Sequence, residues 1–382
     1  MQSIERARLQ DLAHQSVGII RGNQAPSGAY IASPSFPVYR FSWLRDGAFI
    51  ADAMSRAGQI DSAEAFFGWC AEVLRARRAK IEDLIGRRAA REPIAAADFL
   101  HTRYTLDGEE AGDEWWNFQL DGYGAWLWAL GEHLRRHGRA IGALAEGAEL
   151  SARYIAAFWD EPSFDWWEEN ADRTHTSTLG AIYAGLRAAA DWAELSESVR
   201  RQATEIEATV RQAILADARR AGHLSKWLGG QAVDASLLAC AVPFSLLRAS
   251  DPLMAATVRR IEADLVHGGG VHRYLGDTYY GGGEWLLLAA LLGWHYASVG
   301  RVDEARGQLA WVAARATPAR QLPEQVDDHL LAPDARPAWL ERWGPVAVPL
   351  LWSHAMYLTL ALELGIVEAP VEASRGLPVR TP

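Results

Sequence analysis

Apolar residues recur along most of the chain at the three-and-four spacing of a helix, and strand-like alternation is scarce. Segments that read as amphipathic or buried helices are 3–21, 46–58, 60–88, 121–137, 142–158, 177–193, 195–217, 231–240, 251–265, 284–299, 302–315 and 346–364. Gly, Pro, Asp and Ser punctuate many ends, as at Ala57-Gly58, His137-Gly138 and Val299-Gly300. The segment 284–299 is apolar on nearly every face, whereas 195–217 carries a charged stripe. The first pattern suits an inner helix and the second an outer one. After Gly58 and Gly300 come similar starts, QIDSAEAFF and RVDEARGQL, which suggests a repeated helix–turn–helix unit.

Between the helices lie six long polar or Gly-rich connections: 22–45, 89–120, 159–176, 218–230, 266–283 and 316–345. Long loops alternating with helix pairs predict an all-α fold, a closed six-hairpin toroid whose loops build a pocket at one end. No linker composition divides the chain, so 1–382 reads as one domain, with 366–382 as an irregular tail.

Composition narrows the chemistry. The net charge of -10 argues against a nucleic-acid partner, which needs clustered Lys and Arg. Basic runs such as Arg75 to Lys80 lie within helix-like sequence and read as solvated faces. The two cysteines, Cys70 and Cys240, sit among apolar residues and read as reduced thiols. There is no metal-ligand spacing, no cofactor motif, no membrane span and no apolar signal core, so a cytoplasmic enzyme without cofactor or metal is the expectation. The 17 Trp residues are the unusual feature. Many must be core, yet Trp115, Trp116, Trp166, Trp167, Trp285, Trp343 and Trp352 stand in polar or Gly-rich contexts. Aromatic planes beside carboxylates suit a sugar, whose C–H face is apolar and whose rim is hydroxyl.

Most of the connections carry a cluster able to do chemistry. Arg45 and Asp46 precede a helix; Asp46 is either its N-cap or, with Arg45, a clamp for sugar hydroxyls. Asp121 reads as another cap, with Trp115 nearby as a subsite wall. Asp165-Trp166-Trp167-Glu168-Glu169 sets two carboxylates beside two indoles. A carboxyl group against apolar rings favours its protonated form, as a general acid requires. Arg273-Tyr274 and Asp277-Thr-Tyr279-Tyr280-Gly-Gly-Gly lack the Lys-Ser/Thr of a phosphate loop. Glu324 sits in the last long connection. No serine stands in a nucleophile elbow, and His175 and His354 read as structural hydrogen-bonders. Two carboxylates in separate aromatic loops make glycoside hydrolysis the simplest reaction.

These clusters resemble, in order and from about Tyr39 to Leu358, those of glycoside hydrolase family 15, the glucoamylases and their relatives. Tyr39 with Trp43-Leu-Arg45-Asp46 resembles the segment whose Arg and Asp bind the terminal glucose. Trp167-Glu168-Glu169 resembles the segment bearing the general acid and a substrate-binding Glu. Arg273-Tyr and Asp277-Thr-Tyr279-Tyr280 resemble a stretch whose Arg binds sugar. Glu324-Gln325 resembles the general-base segment, and Trp352-Ser353 the pair that follows it.

The resemblance implies an (α/α)6 barrel and an inverting, exo-acting α-glucosidase. Its catalytic residues would be Glu168 as acid, Glu324 as base and Tyr39 near the attacking water. Trp43, Arg45, Asp46, Trp115, Trp167, Glu169, Arg273, Tyr279 and Trp352 would bind a small oligosaccharide. Many bacterial relatives carry an amino-terminal β-sandwich; this chain starts almost directly with barrel helices, and the expected substrate is a short α-glucoside, isomaltose first, with α-1,4-linked glucosides and trehalose as alternatives. A sugar epimerase or lyase on the same toroid, or a non-catalytic sugar binder, are the competing readings.

Overall fold

The computed structural model describes residues 3–368. Among them the helices are α1 Ser3–Gly22, α2 Leu44–Arg56, α3 Ile60–Ala76, α4 Arg78–Ala90, α5 Asp121–His137, α6 Ala145–Phe158, α7 Thr176–Ala190, α8 Glu197–Ala221, α9 Pro252–Leu265, α10 Leu286–Ser298, α11 Val302–Ala314, α12 Arg336–Trp343 and α13 Leu351–Glu363. Short strands β1 Ser42–Trp43, β2 Arg103–Tyr104, β3 Val266–His267, β4 Gly270–Val271, β5 Glu284–Trp285 and β6 Gln325–Val326 pair consecutively as antiparallel ribbons.

The inner elements close into a ring. Around it α2 touches α5, α5 touches α7, and α7 touches the 3₁₀ segment Ala235–Cys240. That segment touches α10, α10 touches α13, and α13 returns to α2. Helices α1, α3, α6, α8, α9 and α11 alternate with these along the chain and pack outside them. This is the expected (α/α)6 barrel, in a single domain. Residues 369–382 of the expected tail lie outside the described residues.

Burial explains the assignment of helices to rings. Every residue of α10 from Leu286 to Tyr296 is buried, so this helix has no face for water. Each fully buried leucine there contributes roughly 2 kcal/mol. In α8 only one stripe is buried, including Val199, Ala203, Val210 and Ile214. The tightest inner contact depends on glycine. A Cβ at Gly124 of α5 would lie 2.5 Å from the Ala181 carbonyl of α7, and one at Gly185 would lie 2.5 Å from the Gly124 carbonyl. The two backbones therefore meet directly.

Where the structure departs from the periodicity, side chains and prolines are the cause. The expected helix 60–88 breaks at Arg77, whose guanidinium bonds the Val73 and Gly108 carbonyls at 2.9 and 2.8 Å. The expected helix 231–240 is a 3₁₀ segment started by the Asp234 side chain and followed by Pro243, which disfavours helix before it. Pro349 likewise delays the last inner helix to Leu351. The connection 316–345 contains α12, too short for its periodicity to register.

The connections that lead from an outer to an inner element are the long ones, and the returns are short. All outer-to-inner loops of such a ring emerge at the same end. Among the described residues no helix is long and apolar enough to cross a membrane.

Candidate active site

Five of the six long loops send side chains to one cluster at that end, and the sixth, 218–230, places Lys226 beneath it. The loop 159–176 brings Glu168 on a strained turn. Glu168 and Asn170 have φ of 66° and 54°, in the left-handed region. That conformation costs an L residue such as Glu roughly 1–2 kcal/mol. Asp165 holds the turn closed: its Oδ1 accepts the N–H groups of Trp167 and Glu169, each at 2.9 Å. Glu168 Oε1 accepts Trp43 Nε1 at 2.7 Å and Gln119 Nε2 at 3.1 Å.

Glu324 directly precedes β6, which pairs with β5 at the start of α10. Its backbone is held by Leu286 N and Ala347 O, at 3.3 and 3.0 Å. Its carboxyl Oε1 accepts the Tyr39 hydroxyl at 3.0 Å, and the Tyr279 hydroxyl lies 2.9 Å from that of Tyr39. Its Oε2 is buried and has no hydrogen-bond partner. Tyr39 meets Trp43 edge-on, ring centres 5.5 Å apart, so the partner of one carboxylate touches the partner of the other.

Arg45 and Asp46 lie in the first turn of α2, both buried. Asp46 is not the N-cap, a position that falls to Trp43. Its Oδ2 is left without a hydrogen bond, 3.4 Å from Arg45 Nε. Arg45 NH1 bonds Gln119 Oε1 at 2.8 Å and Asp121 Oδ2 at 3.0 Å, and NH2 stands 4.0 Å from Glu168 Oε1. Asp121 is therefore the anchor of Arg45 rather than a cap. Opposite, Arg273 Nε donates to Asp277 Oδ2 at 2.7 Å, and NH2 reaches Glu169 Oε1 at 3.2 Å. Tyr274 donates its hydroxyl to Glu169 Oε2.

Aromatic rings enclose these groups. Trp115 lies 5.9 Å from Trp43 and nearly parallel to Trp343 of α12 at 6.3 Å. Arg103, buried, stacks on Trp115 at 3.7 Å. Trp167 packs on Trp285, and Tyr279 packs between Trp285 and Trp339. Trp352 lies behind the cluster, against Phe49 and Trp166, with Arg45 Cζ 5.8 Å above its ring.

Burial dominates the electrostatics. It pushes the Glu324 carboxyl up to about 8, against the hydrogen bond from Tyr39 and the nearby Arg273 charge. It pushes Asp46 up to about 7, against Arg45 and with help from the charges of Glu168 and Asp121. It also raises Glu169, against Arg273 and Tyr274. Asp46 raises Glu324 as well, so the acids share one low-dielectric space. Among the described residues no group of three or more His, Cys, Asp or Glu is placed to hold a metal ion.

Residues 8–331 match the profile of "Glycosyl hydrolases family 15". The chain belongs to that family. It is thus a glycoside hydrolase, of a family that acts by inversion. Within family 15 it is 46% identical to an isomaltose glucohydrolase of Kribbella flavida, over 96% of each chain. A wild-type glycosidase structure superposes with a TM-score of 0.93 at 45% identity, covering 96% of this chain and 100% of that one. A variant of a glycosidase with the same scores was solved in complex with glucose. A bacterial glucoamylase complexed with acarbose shares the fold, with a TM-score of 0.71 at 19% identity, over 93% of this chain and 55% of its own.

The family 15 barrel brings together Tyr39, Trp43, Arg45, Asp46, Trp115, Trp167, Glu168, Glu169, Arg273, Tyr279 and Glu324, and sets Trp352 behind them. Sequence reasoning missed Gln119, which bridges Arg45 and Glu168, and the pair Lys226 and Asp234 beneath the acid turn. Gln119 had a faint signal, two residues before Asp121. Lys226 had none. His175 and His354 are structural, as expected: His175 Nε2 lies 2.9 Å from the Asn170 carbonyl, and His354 Nε2 accepts Leu322 N at 2.9 Å.

Proposed function

We propose that this enzyme hydrolyses isomaltose and short α-1,6-linked glucosides from the non-reducing end, releasing β-glucose. The linkage rests on the identity to the isomaltose glucohydrolase, which extends over nearly the whole of both chains. The mechanism rests on one observation: Glu168 and Glu324, on separate loops, carry different partners within one aromatic site.

Glu168 is the general acid and protonates the departing glycosidic oxygen. Glu324 is the general base and takes a proton from water, with Tyr39 on its Oε1 orienting the free Oε2 toward that water. Attack on the face opposite the leaving group inverts the anomeric carbon. Arg45, Asp46, Glu169 and Arg273 hold the hydroxyls of the terminal glucose. Asp46 Oδ2, buried without a donor, is suited to accept one of them. Trp43, Trp167 and Tyr279 line that subsite, and Trp115 faces the next sugar. A short α-glucoside as substrate also fits a cytoplasmic enzyme of carbohydrate metabolism.

The test is proton NMR of the enzyme with isomaltose, maltose and trehalose in parallel, following anomeric signals at early times. Prompt β-glucose from isomaltose, ahead of the other two, is expected. α-Glucose appearing first would overturn the inverting assignment, and preference for maltose or trehalose would overturn the linkage.

A further inference from the structure

We propose that Lys226 is a positioning residue for proton donation: it clamps the turn that carries Glu168. The inference rests on Glu168 being the general acid.

Lys226 lies in the 218–230 loop and is 4% exposed. Its Nζ stands 2.7 Å from Asp234 Oδ2, 3.0 Å from Asp165 Oδ2 and 3.6 Å from the centre of the Tyr274 ring. Each of these groups holds part of the acid segment. Asp165 Oδ1 accepts Trp167 N and Glu169 N. Asp234 Oδ2 accepts the Trp167 indole N–H at 2.8 Å. Tyr274 donates to Glu169 Oε2. One ammonium therefore secures the residues on both sides of Glu168.

The turn needs such a clamp. Glu168 and Asn170 both occupy the left-handed region, which L residues leave unless the surroundings hold them there. The clamp is itself two buried carboxylates, which repel each other unless a cation lies between them. Lys226 supplies that cation as a point charge with three donors, reaching both acids at once. The imidazole near Asp165, His175, has its Nδ1 farther away, at 4.0 Å. Lys226 touches neither Glu168 nor the reacting atoms. Its effect is on where the acid's proton is presented, so it should appear only when the leaving group needs that proton.

The experiment compares Lys226→Met, Lys226→Arg and Glu168→Gln on isomaltose (or whichever disaccharide the NMR assay shows to be cleaved) and on α-glucosyl fluoride. Fluoride departs without a proton, whereas a sugar alkoxide does not. Lys226→Met is expected to lose about 100-fold in kcat on the disaccharide and less than about 10-fold on the fluoride. Lys226→Arg, which keeps the charge but not the point geometry, should lose about 10-fold on the disaccharide alone. Equal losses on both substrates, or disaccharide turnover within about 3-fold of wild type, overturn the proposal. If Lys226→Met gives no cooperative melting curve, the ratio for Lys226→Arg decides by the same criterion. Full disaccharide turnover by Glu168→Gln would instead overturn the acid assignment beneath it.

Discussion

Trp43 Nε1 donates to Glu168 Oε1 at 2.7 Å, and Gln119 Nε2 donates to the same oxygen at 3.1 Å. With Oε1 filled by two donors, Oε2 is the oxygen left to face a leaving group in the proposed mechanism. Both donors are neutral and fix the orientation of the carboxyl group, while Arg45 NH2 stands 4.0 Å from the same oxygen. Trp43→Phe keeps a ring against Tyr39 and deletes one donor. The expected result is a drop of about 10-fold in kcat on a disaccharide, with little change in melting temperature. Unchanged kcat in stopped assays would show that the indole N–H has no part in orienting the acid.

Tyr39 acts on the other carboxylate. Burial raises Glu324 to about 8, and the Tyr39 hydroxyl pulls it back down by bonding the ionised form. A base works only when ionised, so with Glu324 as the proposed base its titration is expected to set the acidic limb of kcat/KM against pH. Tyr39→Phe removes the donor and moves that limb to higher pH, by on the order of one unit. A full pH profile of both proteins checks this; coincident limbs would place the titration elsewhere.

The same burial makes Glu324 a stability liability. Its folded pKa lies above that of an unfolded glutamate, so the native state holds a proton that the unfolded chain has lost between about pH 4.5 and 8. The group's favourable contribution is complete below that window and is lost as pH rises through it, by on the order of 1 kcal/mol per pH unit. Glu324→Gln has no charge to bury. Its melting temperature should exceed that of wild type, by a margin that grows from pH 5 to pH 8. A constant margin across those scans would contradict the burial argument.

Gly124→Ala tests the barrel itself. The added methyl meets the Ala181 carbonyl at 2.5 Å, and backbone cannot move aside as a side chain can. Helices α5 and α7 must separate, at a cost of roughly 1–3 kcal/mol or more. Equilibrium urea unfolding should show the midpoint fall. An unchanged midpoint would mean that the two helices are not in backbone contact.

Much of this was legible in the chain. The helical period and the spacing of α2, α5, α7, α8, α10 and α11 are local consequences of which side chains avoid water. The six long loops could be marked for the same reason, and within them Arg45, Asp46, Glu168 and Glu169 stood out by residue type, whereas Tyr39, Arg273 and Glu324 were marked by the resemblance of their motifs to family 15. Boundaries were less legible wherever a distant partner decided them. The break at Arg77 depends on Gly108, and the short α12 sits where its tryptophans pack on Tyr279 and Tyr280.

The sequence by itself determined that this protein is a ring of helix pairs, because periodicity is written in neighbouring positions, and the order of its motifs, matched to those of family 15, marked Glu168 and Glu324 as the carboxylates for chemistry. Only the tertiary structure decided how those carboxylates differ. Trp43 reaches Glu168 across 125 residues and Tyr39 reaches Glu324 across 285, and Lys226 lies under the acid turn from a loop with no motif. Hydrogen-bond partners and local dielectric depend on what closes around a group in space, and ring closure brings together residues that no local pattern connects.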